Sequence, residues 1–174
     1  MGRTHSSARD PLVALLRVPV TGPPLRVEFA ADLKPSVHAA TFIRQRRIVL
    51  DAALRRRGRE LERILIHELF HFTWLRIGNA PRWSYEELLV EEANRRARGE
   101  LGWSAEWRKR ELARADRIRR TRRWREYVCE SFCDTAAWLH GRIKRHEEFT
   151  LASTHRVRRR EWFRRYGLDG LISV

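Results

Sequence analysis

The stretch Ile64-Leu65-Ile66-His67-Glu68-Leu69-Phe70-His71-Phe72-Thr73-Trp74-Leu75 decides how this chain is read. It is apolar on every side apart from two histidines and a glutamate, and a helix apolar all round is a buried helix. Imidazole and carboxylate groups in such a place are costly unless something binds them. His67 and His71 are four residues apart, so on a helix both rings leave the same face, one turn from each other. Glu68, beside the first of them, reaches the same spot without taking a ligand position. His-Glu-x-x-His on a helix is the pattern of two zinc ligands and a general base. The competing reading is a pair of satisfied core histidines. With 7 His in 174 residues, chance alone produces the pattern in roughly one such chain in forty, but a chance match has no reason to fall in the most apolar stretch.

Working outward toward the N-terminus, Leu25-Arg26-Val27-Glu28-Phe29 alternates apolar and polar with period two, the mark of a half-buried strand. Residues 41–43 and 47–50 read as two further strands joined by the polar turn Arg44-Gln45-Arg46. A small antiparallel sheet is therefore expected ahead of the central helix. That helix begins near Gly58 and stops at Gly78-Asn79-Ala80-Pro81. Beyond it, Ser84-Tyr85-Glu86-Glu87 has the form of a capping box, opening a helix expected to end at Gly99. Another start is expected at Ser104, after Gly102. Residues 105–123 are dense in charge, which ordinarily marks a solvated face. Trp124 to Trp138 turns apolar again and closes at Gly141, and residues 157–166 read as a short basic helix packed by Trp162 and Phe163.

The fold class this implies is α+β: a small N-terminal antiparallel sheet packed on a buried helix, followed by a mostly helical C-terminal half. The expected organisation is one domain over 1–174, with a polar leader at 1–22 and a basic helical tail at 142–174. A hydrophobic content of 43% and an aromatic content of 10% exclude a disordered chain. No run approaches the roughly 20 apolar residues of a membrane span. Pro11, Pro19, Pro23 and Pro24 interrupt the N-terminal segment, so a cytoplasmic protein is expected. Cys129 and Cys133 fall on one helix face as neighbours and read as structural thiols.

The formal net charge is +15, and all the basic residues but Lys34, Lys109 and Lys144 are Arg. Such an excess suits a nucleic-acid or acidic-membrane partner. The Arg are spread over several segments, which equally fits the codon bias of a GC-rich genome. A second functional reading follows: a non-catalytic, Arg-rich nucleic-acid-binding module whose zinc is structural or absent. A third combines the two, a protease acting on nucleic-acid-bound proteins.

A catalytic zinc takes three protein ligands, and the third must come from another element. No histidine lies between His71 and His140. Glu130-Ser131-Phe132-Cys133-Asp134 offers two carboxylates four residues apart on an apolar helix, with Tyr127 on that face as well. Glu130 fits as the ligand, and Asp134 as the acceptor of a ligand histidine's spare N–H. Ordinary salt bridges to Arg are the alternative for both, and Glu91 or Glu92 compete with Glu130. In hydrolysis, Glu68 would take a proton from the attacking water and pass it to the leaving amine. An oxyanion partner is also needed, and Tyr127, His155 and His140 are the candidates.

His67-Glu68-Leu69-Phe70-His71 followed by Glu130-Ser131-Phe132-Cys133-Asp134 resembles the gluzincin pattern of zinc metallopeptidases, in its compact form. The resemblance implies a zincin-like fold, one zinc per chain on His67, His71 and Glu130, Asp134 behind them, and hydrolysis of a peptide or protein substrate. It also implies that the last strand before the active helix, residues 41–50, is the edge that pairs with an extended peptide. The chain is similar in part to the small zinc proteases that clear protein–DNA crosslinks, without their third histidine. Glu91-Glu92-Ala93-Asn94 resembles a helix of the small bacterial metallopeptidases that cleave repressors, with Val90 where their ligand glutamate stands.

Overall fold

The computed structural model describes residues 10–14, 16–31, 33 and 38–174. The first nine residues of the expected leader, and Leu15 within it, lie outside them. The described elements are α1 (Pro11–Ala14), β1 (Val20–Thr21), β2 (Arg26–Ala30), β3 (Ala39–Phe42), β4 (Arg47–Asp51), α2 (Gly58–Arg76), α3 (Asn79–Asn94), α4 (Trp103–Glu111), α5 (Arg114–Arg119), α6 (Arg122–His140), α7 (Ser153–Arg165) and β5 (Ile172–Ser173). The architecture is α+β, with small sheets and a mostly helical remainder.

The larger sheet has the order β2-β4-β3, and it corrects the expected antiparallel arrangement. β3 and β4 do form an antiparallel hairpin, turned by a 3-10 segment at Ile43–Gln45 and by Arg46 in the left-handed region. β2, however, runs parallel to β4, with Val27 opposite Ile48 and Phe29 opposite Leu50. The connection from β2 crosses to the far edge of β4 before the chain turns back. β4 is therefore the central strand, and its Ile48-Val49-Leu50 is buried without alternation, as in a strand covered on both faces. β3 is left as an edge.

α2 lies between this sheet and α6, which is why it carries apolar residues all round. Glu60 in its first turn and Arg76 in its last both suit the helix dipole. Gly78, at φ 76°, turns the chain straight into α3. Pro81 then falls in the first turn of α3, where a missing N–H costs nothing. The segment expected only to stop one helix thus also starts the next. The expected capping box at Ser84 does not form, because α3 already begins at Asn79 and Ser84 falls in its interior, where its hydroxyl accepts the indole N–H of Trp162 at 3.1 Å. α3 ends at Asn94 rather than Gly99, with Arg96 taking the left-handed conformation just beyond.

The main core is aromatic where the helices meet. Phe132 on α6 stacks on Phe163 of α7 at 5.0 Å between ring centroids and tilts on Phe70 of α2 at 5.6 Å. Tyr85 of α3 meets Trp162 edge-on at 4.8 Å. Residues 142–174, read as a tail, contribute Phe163, Ile172 and Val174 to this core. β5 pairs in parallel with β1, and the Thr73 hydroxyl donates to the Ser173 carbonyl at 2.8 Å. Among the described residues no helix is long and apolar enough to cross a membrane.

Candidate metal centre

The face of α2 carrying His67, Glu68 and His71 is met from one side by α6 and from the other by β3. His67 is gripped at both ring nitrogens: Nδ1 lies 2.7 Å from Asp134 Oδ1, and Nε2 lies 3.2 Å from Glu130 Oε2. The other Glu130 oxygen is 3.4 Å from the Arg108 guanidinium. The spacing of Glu130 and Asp134 along α6 is what lets one helix address both edges of a single ring.

Asp134 is itself fixed from a third direction. α4 starts after Gly102, which has no side chain to cap it, and the first-turn N–H groups of a helix need acceptors. Ala105 N–H donates to Asp134 Oδ2 at 2.9 Å, and Trp103 N–H donates to Glu148 at 2.8 Å. A carboxylate there also faces the positive end of the helix dipole. The carboxyl of Asp134 comes so close that a Cβ on Gly102 would stand 2.2 Å from its carbon. Gly102→Ala is accordingly expected to push Asp134 off His67. Losing such an outer partner weakens metal binding about 10–100-fold, measured by chelator competition beside Asp134→Ala. Unchanged affinity in both variants would mean that the aspartate does not orient His67.

His71 stands edge-on to His67 at 5.1 Å between ring centroids. Its Nδ1 is 3.6 Å from the sulfur of Cys129 and 3.6 Å from that of Cys133. Glu68 accepts a 2.6 Å hydrogen bond from the Thr41 hydroxyl of β3, which holds its carboxylate between helix and strand. His67, Glu68, His71, Cys129, Glu130 and Asp134 line a cavity of about 590 Å³ whose opposite wall includes Ala39, Ala40 and Thr41 of β3.

The electrostatics follow from three carboxylates and two imidazoles in one buried place. Burial disfavours the charged form of His67, yet the charge and hydrogen bond of Asp134, with those of Glu130, raise its pKa well above the usual histidine range. Burial likewise pushes Glu130 up, but the hydrogen bond and charge of His67, with His71 and Arg108, hold it down at about 2. The two carboxylates therefore favour a positive charge at His67, whether a proton on the ring or a cation bound to it.

The donors suit zinc. Two ligands bonded to one tetrahedral zinc at about 2.0–2.1 Å stand roughly 3.3 Å apart, and the His67–Glu130 separation is 3.2 Å. Among the described residues the donors that lie within 4.8 Å of one another around both histidines are those of His67, His71 and Cys133, a group that does not include Glu130.

Other sequence candidates fall elsewhere. Tyr127 turns to Glu100, donating to its carboxylate at 2.6 Å, and does not line the cavity. Glu92 is held by Arg159 at 2.6 Å and Glu91 by Arg158, so neither competes as a third ligand. His140 stacks on Phe70 with Nε2 on the Leu168 carbonyl at 2.9 Å, and His155 sits near Glu92. The strand expected to line the site, residues 41–50, divides: β4 is interior, and β3 holds the wall. Arg108, Thr41 and the sulfurs on His71 escaped the sequence reading. Of these only the cysteines carried a signal, since they flank Glu130 and Asp134 at helical spacing. Comparison of the chain with protein-family models, curated proteins and solved structures finds no match.

Proposed function

We propose that this chain is a zinc-dependent metallopeptidase with a zincin-like site, binding one zinc through His67, His71 and Glu130. The observation that carries the reading is the grip on His67: one imidazole between two carboxylates of a neighbouring helix, with Glu68 one residue on. Zinc, when bound, supplies Lewis acidity that polarises the scissile carbonyl and makes a water acidic near neutral pH. Glu68 faces the same cavity and acts as the base that takes the water's proton, then hands it to the leaving amine. Asp134 keeps the proton of His67 on Nδ1 and so leaves Nε2 free to bind. The oxyanion partner in this reading is Arg108, which lines the cavity and reaches only one Glu130 oxygen at 3.4 Å, whereas Tyr127 is turned to Glu100 and Arg63 is held by both Glu60 and Glu148.

The substrate class follows from the opposite wall. Among the described residues β3 has β4 on one side only, and its Ala39, Ala40 and Thr41 border the cavity. An unpaired strand edge offers main-chain donors and acceptors to an extended peptide. Substrates are therefore unstructured segments of protein, bound as an added strand across the mouth of the site.

Elemental analysis of protein purified without added metal tests the reading. About one zinc per chain is expected in the parent, and His67→Ala is expected to lose both the zinc and the cleavage of an unfolded protein substrate. A parent protein that carries no metal and takes none up from a zinc-buffered solution ends it.

A further inference from the structure

We infer that Cys129 and Cys133 are the positioning residues of His71, giving with two sulfurs the orientation that Asp134 gives His67 with a carboxylate. This rests on the metal site proposed above and extends it to the second imidazole.

Four residues apart on α6, the two thiols lie on the face turned to α2, and both stand 3.6 Å from the same ring nitrogen. Among the described residues no carboxylate plays that part for His71: its close partners at Nδ1 are these sulfurs, whereas His67 Nδ1 has Asp134 at 2.7 Å. A thiol or thioether sulfur is a weak acceptor. Two of them converging on one N–H supply what a single one lacks. With Nδ1–H pointed between them, the proton sits on Nδ1 and the lone pair of Nε2 is left for the metal, since the partner of one ring nitrogen fixes the state of the other. Cys133 is fully buried, while Cys129 borders the cavity, so the two sulfurs reach the same ring nitrogen from an inner and an outer position.

The arrangement also explains a feature of the sequence. Glu130 and Asp134 are each preceded by a cysteine, so six consecutive residues of α6 carry the proposed ligand, an orienting carboxylate and the sulfurs for the neighbouring ring. The same geometry allows a rival role for Cys133, as a ligand in its own right, because its sulfur lies within 4.8 Å of a donor on each histidine.

The test uses zinc and cobalt(II) as probes on the full chain. Chelator competition is expected to show a zinc affinity about 10–100-fold lower in Cys129→Ala/Cys133→Ala than in the parent. The paired Cys→Ser replacements are expected to recover most of it, since a hydroxyl also accepts from Nδ1–H. In the parent loaded with cobalt(II), visible d–d bands are expected without a sulfur-to-cobalt charge-transfer band in the near ultraviolet. An alanine pair that binds zinc as tightly as the parent overturns the inference and leaves the metal reading standing. A charge-transfer band lost in Cys133→Ser overturns it too, by making that sulfur a ligand. A parent that binds neither metal removes the site and the inference together. If the double alanine variant does not fold, Cys129→Ala and the parent cobalt spectrum decide by the same criteria.

Discussion

Glu68→Gln is expected to keep its zinc and to lose peptide hydrolysis by about 10²–10⁴-fold, the share that a positioned general base contributes. The substitution preserves shape. Thr41 donates to one Glu68 oxygen at 2.6 Å, and a glutamine carbonyl accepts that bond equally well, so the side chain stays between helix and strand. What disappears is the capacity to take a proton. The loss should therefore fall on kcat with little change in KM, the signature of an interaction made in the transition state. Zinc stoichiometry is the control, because Glu68 does not bind the metal in this reading. Thr41→Val separates position from basicity: the carboxylate remains, and the fall should be the smaller of the two. Activity in Glu68→Gln within a few-fold of the parent would remove Glu68 as the base, whatever the metal content shows.

The sequence made this centre legible because its chemistry is written in helical spacing. His67 and His71, like Glu130 and Asp134, are four apart, and each pair sits among residues that had to be buried. A buried carboxylate pair and a buried imidazole pair each need a counterpart, so setting α6 against α2 required no knowledge of the fold, although both carboxylates meet His67 and the close partners of His71 are the two sulfurs. Strand direction is a different kind of information. Alternation along Arg26–Ala30 tells which side chains are covered and says nothing about whether the neighbouring strand runs with it or against it. Hence β2 emerges parallel to β4, and the edge beside the site passes from the expected 41–50 to β3. Tyr127 failed for a related reason. Its place on α6 was right, but a ring at the margin of a helix face can turn either way, and the Glu100 carboxylate decided which. No local pattern announced Glu100, which stands after a glycine in a stretch that reads as a loop.

That residue belongs to a buried polar cluster that the charge-rich composition concealed. Arg159 of α7 is fully buried. It donates to Glu92 of α3 at 2.6 and 3.1 Å and to Glu100 at 2.7 and 3.2 Å. Glu100 also receives Lys109 at 2.9 Å and Tyr127 at 2.6 Å. The cluster ties α3, α6 and α7 to the loop ahead of α4, and that loop ends in Gly102, against which Asp134 is set. In this way the far side of α6 bears on the position of the candidate metal centre.

Arg159→Leu should show how much. Removing the cation leaves Glu92 and Glu100 buried without their main partner, a change that typically costs about 3–5 kcal/mol, read from urea unfolding near neutral pH. The pH dependence identifies the cause. Burial raises the Glu100 pKa, but the charges of Arg159 and Lys109 outweigh it and bring it to about 2, against 4.5 for an ordinary glutamate. A folded pKa below the unfolded one means that the stabilisation is fully present above about 4.5 and is lost as pH falls toward 2. It amounts to roughly 3 kcal/mol from this one carboxyl. In Arg159→Leu the Glu100 carboxylate keeps only Lys109 of the two cations that hold it ionised, so acid protonates it with less penalty and the variant loses less. The stability gap between parent and variant should therefore be widest at neutral pH and close as pH drops from 5 toward 2. A gap that stays constant over that range would trace the cost to lost packing of the arginine stem, and the charge account of the cluster would have to be given up.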